Sequence, residues 1–232
     1  MSTRADALTL YLWTGTRGGE IVAMESTEIA QEADGLWWTI PKQKTKGLHN
    51  ERATDLCVPR VGRAEVVVRR RRGCPEFCVK AKDRILFPSS RGMSTNQTVA
   101  QHDVYYRQPY CNIAPKHDRP RLPVTHWSAH DLRRATRTLL ATLGCPNDIA
   151  EAVLGHVQPG IIGVYNRHTY HRERREWLTQ LSHRLAAPAP PRSRCLFFVL
   201  SSCQDMAFGP SRAVQVVLTT LSGKRYTTTP RS

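Results

Sequence analysis

No stretch of this sequence stays apolar for long. The longest uninterrupted run, Cys195 to Leu200, has 6 residues, against the roughly 20 that a membrane-spanning helix needs. No such helix is expected. The opening MSTRADALTLYLW has an apolar stretch with no small-residue cleavage site after it, so no secretory leader is expected either. Acidic residues are scarce: 19 Asp and Glu stand against 34 Lys and Arg, leaving a net charge of +15. A deficit that large points to a polyanionic partner, nucleic acid ahead of an anionic membrane surface. Cysteine forms no framework, because its seven copies are odd in number and scattered, and a reducing cytoplasm is the compartment that suits them. Cys74 and Cys78, with His102 and His117 further on, lack the second tight pair that zinc sites usually carry, so ordinary thiols are the reading preferred. Internal repeats are missing as well.

What is present is enough for a folded chain. With 232 residues, 40% hydrophobic and 23% charged, the protein can bury a substantial core in one or two domains. Ser2 and Thr3 are suited to cap a first helix through Leu8, Leu10, Leu12 and Trp13, which TGTRGG then breaks. Glu20 to Met24 reads as a short helical turn. Leu36 to Pro41 reads as a strand, KQKTKG as a basic turn and Ala53 to Pro59 as a partner strand. Between Val61 and Pro123 the pattern is poor: three valines precede the run Arg69 to Arg72, Ile85 to Pro88 resembles a strand end, and SSRGMSTNQ and the segment from His102 to Pro123 read as loops. Ser128 opens a helix that Gly144 closes, and Asn147 and Asp148 start another that ends at Gly155. A break at Pro159 and Gly160 precedes a helical start at Ile161 to Tyr165, and Tyr170 to Leu185 is amphipathic. APAPP is then a linker, and the Ser/Thr-rich residues beyond it carry two short apolar runs.

Five features stand out: Arg17 in a glycine-flanked turn, Lys46 in a turn between strands, His130 and Arg133 at i, i+3 on one helix, His156 in Leu-Gly-His, and Tyr165 nine residues later. Singly, each has a plain structural account. Arg17 fills a turn, Lys46 is a solvated lysine among three, His130 opens a helix, His156 is an interior histidine and Tyr165 a packed aromatic.

Together they resemble the tyrosine recombinases, the phage integrase family. TGTRGGE is similar to that family's first arginine box, KTKG after a Trp-rich strand to its hairpin lysine, and SAHDLRRATRT to its His-x-x-Arg box. LGHVQPGIIGVYNRH is similar to its Gly-His and tyrosine boxes in order and spacing. The likeness runs from about Ala5 to Leu185 and is strongest from Thr125 onward, in the manner of prophage and genomic-island integrases. It implies an α+β, mainly α fold of the DNA breaking-rejoining type, with a small antiparallel sheet near Leu36 to Pro59. It also implies site-specific DNA recombination or integration in the cytoplasm, through a 3′-phosphotyrosyl intermediate that needs no metal and no cofactor.

In that reading Tyr165 is the nucleophile, and Arg17 and Arg133 neutralise the phosphate. Lys46 protonates the leaving oxygen, His130 assists proton transfer, His156 bonds the phosphate and Glu20 holds the first arginine turn. Lys42 and Lys44 stay open as alternatives to Lys46, because the stretch from Lys46 to Pro59 is longer than the resemblance leads one to expect. Double-stranded DNA carrying an attachment site is the implied partner, bound by a homo-oligomer that forms a tetrameric synapse. Arg134, Arg137 and Arg69 to Arg72 are further candidates for phosphate contacts. Residues 1–187 are expected to form the catalytic domain and 188–232 a linker and tail. Since Arg17 comes so early, the family's N-terminal core-binding half is expected to be missing. The alternative function is therefore a truncated, inactive remnant that only binds DNA or an integrase partner.

Overall fold

The structure, a computed structural model, describes residues 3–45, 54–73, 85–89, 96–106, 111, 127–156 and 168–187. In order these form helices α1 (Thr3–Thr14) and α2 (Gly18–Val22), then strands β1 (Ile29–Glu32), β2 (Gly35–Ile40) and β3 (Leu56–Arg60). Helices α3 (Gly62–Arg72), α4 (Gln97–Tyr106), α5 (Ala129–Thr142), α6 (Asn147–Leu154) and α7 (His171–Ala186) follow. The result is a mainly helical α+β arrangement with one small antiparallel sheet, as the sequence leads one to expect. No described helix is long and apolar enough to cross a membrane.

Helix α1 is the central element. Ala7, Leu10, Tyr11, Leu12 and Trp13 are all buried, so it has almost no polar face, and helices of that kind sit inside a fold. Its polar groups are satisfied locally: Thr9 Oγ1 donates to the Ala5 carbonyl at 2.9 Å and Thr14 Oγ1 to the Leu10 carbonyl at 2.7 Å. Around α1 pack α3, α5 and α7, and Leu132, Leu140, Val67, Val68, Leu178 and Leu181 complete the core there.

The sheet has order β1-β2-β3, with Leu36 opposite Arg60, Trp38 opposite Val58 and Ile40 opposite Leu56. Those six residues share one pleat face and are all buried. Strand β1 is absent from the sequence reading because it is an edge strand with only Ile29 buried, too little for an alternating pattern. Pro59 is tolerated because β3 is the other edge. On the opposite face Trp37 lies under α7, with its ring 5.5 Å from that of His171 and the Arg175 guanidinium 5.6 Å from its centre.

Three expectations need correction. The poorly patterned stretch after Val61 is helix α3, whose inner stripe is Ala64, Val67, Val68 and Arg71. The spacing is helical, but an arginine fills its last inner place and three β-branched residues mimic a strand. Gln97, read as the end of a loop, is the first residue of α4, which Asn96 caps by accepting from the Thr98 amide at 3.0 Å; residues 90–95 lie outside the described ones. His102 to Tyr106, read as loop, is the second half of that helix. The strand end at Ile85 is a single bridge to Glu25. Cys74, Cys78, His117 and the expected helical start at Ile161 to Tyr165 lie outside the described residues.

Two buried charges have opposite energetic meanings. Asp6 receives the Arg71 guanidinium at 2.9 and 2.8 Å and also Arg70, tying α1 to α3. Arg71 further donates to the Leu86 carbonyl at 3.1 Å. Arg60 is fully buried, and among the described residues none of its three nitrogens has a hydrogen-bond partner; its guanidinium lies 4.3 Å from the centre of the Trp38 ring. Burial pushes its pKa down to about 9.

Asp6→Asn is therefore expected to lower the unfolding free energy by about 3–5 kcal/mol, since it removes the carboxylate charge that faces the buried Arg71 guanidinium. Arg60→Met should raise it by on the order of 1–2 kcal/mol, the relieved desolvation outweighing the lost stacking. Urea titration followed by circular dichroism checks both signs.

Candidate active site

Helix α1 ends at Thr14, and Gly15 turns the chain in the left-handed conformation at φ 66°. A Cβ there would come within 2.8 Å of Leu154 and 3.0 Å of Thr136, so this turn accepts glycine and little else. Thr14 and Thr16 bond to each other through their hydroxyls at 2.7 Å. Arg17 then precedes α2, and Glu20, almost fully buried, accepts from the Arg17 amide at 2.8 Å and from its Nη1 at 3.0 Å. The carboxylate holds both ends of the arginine. The Tyr11 hydroxyl occupies the space that a Cβ on Gly18 would need, and burial pushes that phenol up to about 12.

Helix α5 begins where Ser128 suggests. The Ser128 amide and hydroxyl donate to Asp131 Oδ2 at 2.8 and 3.0 Å, and Arg134 donates to Oδ1 at 2.6 Å. Against the upward push of burial, these bonds hold the Asp131 carboxyl below its ordinary value. Thr136 donates its hydroxyl to the Leu12 carbonyl at 2.8 Å, locking α5 to the end of α1. One turn before Thr136, Arg133 is only 3% exposed. Its Nη1 donates to the Gly15 carbonyl at 2.5 Å, and its Nη2 reaches the Leu154 carbonyl at 2.7 Å and His156 Nε2 at 2.8 Å.

Helix α6 closes in a Schellman turn. Gly155 takes φ 65°, its amide bonds the Ala152 carbonyl and the His156 amide bonds the Glu151 carbonyl, each at 3.0 Å. That turn folds His156 back so that its Nδ1 meets Glu151 Oε2 at 2.5 Å. Glu151 Oε1 meanwhile accepts from Arg137 Nε at 2.8 Å. Burial pushes the Glu151 carboxyl up, but the hydrogen bonds from His156 and Arg137 overcome it and hold the group below its usual value.

Arg17, Arg133, His130 and His156 thus converge where α1, α5 and α6 meet. Arg133 is pushed down to about 10, by burial first and then by the Arg17 charge, with Glu20 and Glu151 opposing. His130, at the exposed start of α5, is lowered by burial and by the charges of Arg134, Arg133 and Arg17, which leaves a neutral imidazole at pH 7. Lys46 and Tyr165 lie outside the described residues. Of the alternatives to Lys46, Lys44 gives its ammonium to the Ala23 carbonyl and Glu25 Oε1, both at 2.9 Å, and to Glu28. Three donors are thereby used, which anchors the end of the Lys42–Lys44 3-10 turn after β2 to the segment following α2. Lys42 is exposed.

The residue that sequence reasoning missed is Glu151. Its only signal is its place five residues before His156, the span that a helix closed by glycine folds back on itself. Among the described residues no group of three or more His, Cys, Asp or Glu could hold a metal ion.

Residues 2–172 match the phage integrase family. No curated protein and no solved structure matches the chain.

The two lowered carboxyls carry a pH signature. Asp131 and Glu151 bind protons less readily folded than unfolded, so their stabilisation is whole above the ordinary carboxylate range. It is lost as pH falls through about 4 and below. Unfolding free energy measured against pH should decline there, and Asp131→Asn should flatten the decline; an unchanged slope would remove Asp131 from the account.

Proposed function

The chain belongs to the phage integrase family, and we propose that it breaks and rejoins DNA strands by tyrosine attack, with Arg17, Lys46, His130, Arg133, His156 and Tyr165 as the reacting set. Membership carries DNA binding and a role in site-specific recombination or integration; the assignment of steps to residues is the proposal. The observation that supports it best is the Arg133 guanidinium, bonded both to the Gly15 carbonyl, two residues before Arg17, and to His156. After burial, the Arg17 charge is the largest influence lowering Arg133, and a phosphodiester placed between the two cations relieves that repulsion.

Attack of the Tyr165 oxygen on the phosphorus spreads negative charge over two nonbridging oxygens. Arginine forks suit those oxygens better than a lysine would, and cations preorganised at a developing charge supply much of the rate. The neutral imidazole of His130 accepts the tyrosine proton, and Lys46 returns one to the departing 5′-oxygen. The product is a 3′-phosphotyrosyl link with a free 5′-hydroxyl. Because the link conserves the bond energy, a second 5′-hydroxyl can displace the tyrosine and rejoin the strand without a nucleotide cofactor.

The surplus positive charge serves phosphate contacts that carry no sequence information. Part of it is spent inside the protein, since Arg71 is buried on Asp6 and Arg137 holds Glu151. Arg72 is exposed and remains available to a DNA backbone, as does the exposed Arg134 with the guanidinium N–H groups that Asp131 does not take. Four protomers on two duplexes would form the synapse.

Incubating the chain in EDTA with nicked duplexes and supercoiled plasmid, then resolving it on a denaturing gel, tests the chemistry. A DNA-linked band is expected from the native chain and none from Tyr165→Phe, with DNA affinity nearly unchanged. Equal loss of attachment and binding would sink the nucleophile assignment, and binding with no adduct from the native chain would favour the inactive remnant. Arg133→Ala, checked for folding by circular dichroism, should slow attachment by on the order of 3–4 kcal/mol of barrier; an unimpaired rate would take Arg133 out of the site.

A further inference from the structure

Arg133 is a donor at every nitrogen, so a ring nitrogen 2.8 Å from its Nη2 has to accept. His156 Nε2 is therefore bare in this arrangement, and the ring proton sits on Nδ1, directed at Glu151 Oε2 at 2.5 Å. The carboxylate cannot swing away freely. Its other oxygen accepts from Arg137 Nε at 2.8 Å, and Arg137 Nη2 is itself bonded to Asn147 Oδ1 at 2.5 Å. The Schellman turn at Gly155 fixes the backbone of His156 to the same residue. His156 is thus held to Glu151 at the main chain and at the ring.

We propose that Glu151 is a positioning residue for strand transfer: its carboxylate sets the tautomer and orientation of His156 and balances the charge on that ring when a phosphate draws it from Arg133. This rests on the reading given under Proposed function. A phosphate oxygen is an acceptor, so His156 can bond it only with a proton on Nε2. With Nδ1 already protonated and bonded, the ring then carries a positive charge beside Arg133 and Arg17. Glu151 supplies the opposite charge on the far side of the ring, in the way that carboxylates orient histidines at metal sites and in catalytic triads. Glu20 does the equivalent for Arg17, so each half of the cationic site has its own buried or half-buried carboxylate behind it.

Two measurements on the intact chain test this. Long-range proton–nitrogen spectra of 15N-labelled protein at neutral pH, with His156 assigned by its loss in His156→Asn, should show Nδ1 protonated and Nε2 bare. Glu151→Gln keeps an acceptor and should keep that pattern; Glu151→Ala should lose it. Single-turnover attachment to nicked DNA should slow about 10–100-fold in Glu151→Ala while DNA affinity stays within about twofold, and Glu151→Gln should recover part of the rate. A proton on Nε2 in the native chain, an unaltered spectrum in Glu151→Ala, or a full rate in that variant would each overturn the proposal. If the native chain forms no adduct at all, the strand-transfer reading fails and the spectra alone still decide whether Glu151 sets the His156 tautomer.

Discussion

The site is organised around one buried guanidinium. Arg133 bonds the carbonyl at the end of α1, the last carbonyl of α6 and the histidine that follows it. It sits on α5, which Thr136 fastens to α1. Three segments far apart in sequence are joined by one side chain, and two of the three acceptors that meet it are backbone carbonyls whose positions the helix ends dictate. A guanidinium has enough donors in a fixed plane for this, where an ammonium has neither the span nor the geometry. The glycines at 15 and 155 follow from the same constraint, since each carries a carbonyl or a histidine into reach by taking a left-handed turn. Removing Arg133 would loosen the junction of α1, α5 and α6.

The excess of positive charge is not a uniform coat. Arg71 is buried on Asp6, Arg69 reaches Glu65 and Gln31, and Lys44 is enclosed by Glu25 and Glu28. Glu28 also accepts from the Trp38 indole at 3.0 Å, so the anchor of the lysine turn and the core of the sheet share one carboxylate. With only 19 acidic residues in the chain, several of them are committed to holding arginines and lysines in place. The cations that remain exposed are those with access to a polyanion; burial first, and then the charges of Arg134, Arg133 and Arg17, lower His130.

Much of the helical framework was legible in the sequence because its signals are local. Ser128 with Asp131, Gly155 after α6, and the apolar character of α1 each act within a few residues. What escaped detection depends on distant partners. Helix α3 hides its inner stripe because Arg71 is neutralised by Asp6, from a helix more than sixty positions earlier. Strand β1 has one buried residue and is held by pairing with β2. At the site, Arg17, His130, Arg133 and His156 could be picked out by residue type and spacing, and they do converge. Glu151 could not, since an acidic residue on an exposed helix face looks like any solvated charge until His156 folds back upon it.

Composition, spacing and the local capping chemistry thus determined the class of partner, the helical framework around the site and four of the polar groups in it. Those properties depend on charge, residue type and interactions spanning a turn or two. The tertiary structure alone decided which charges are spent internally, which nitrogen of His156 faces which neighbour, and that Lys44 anchors its turn. Each of these turns on a bond between residues remote in sequence, and such bonds form only once burial has removed the water that would otherwise satisfy the same groups.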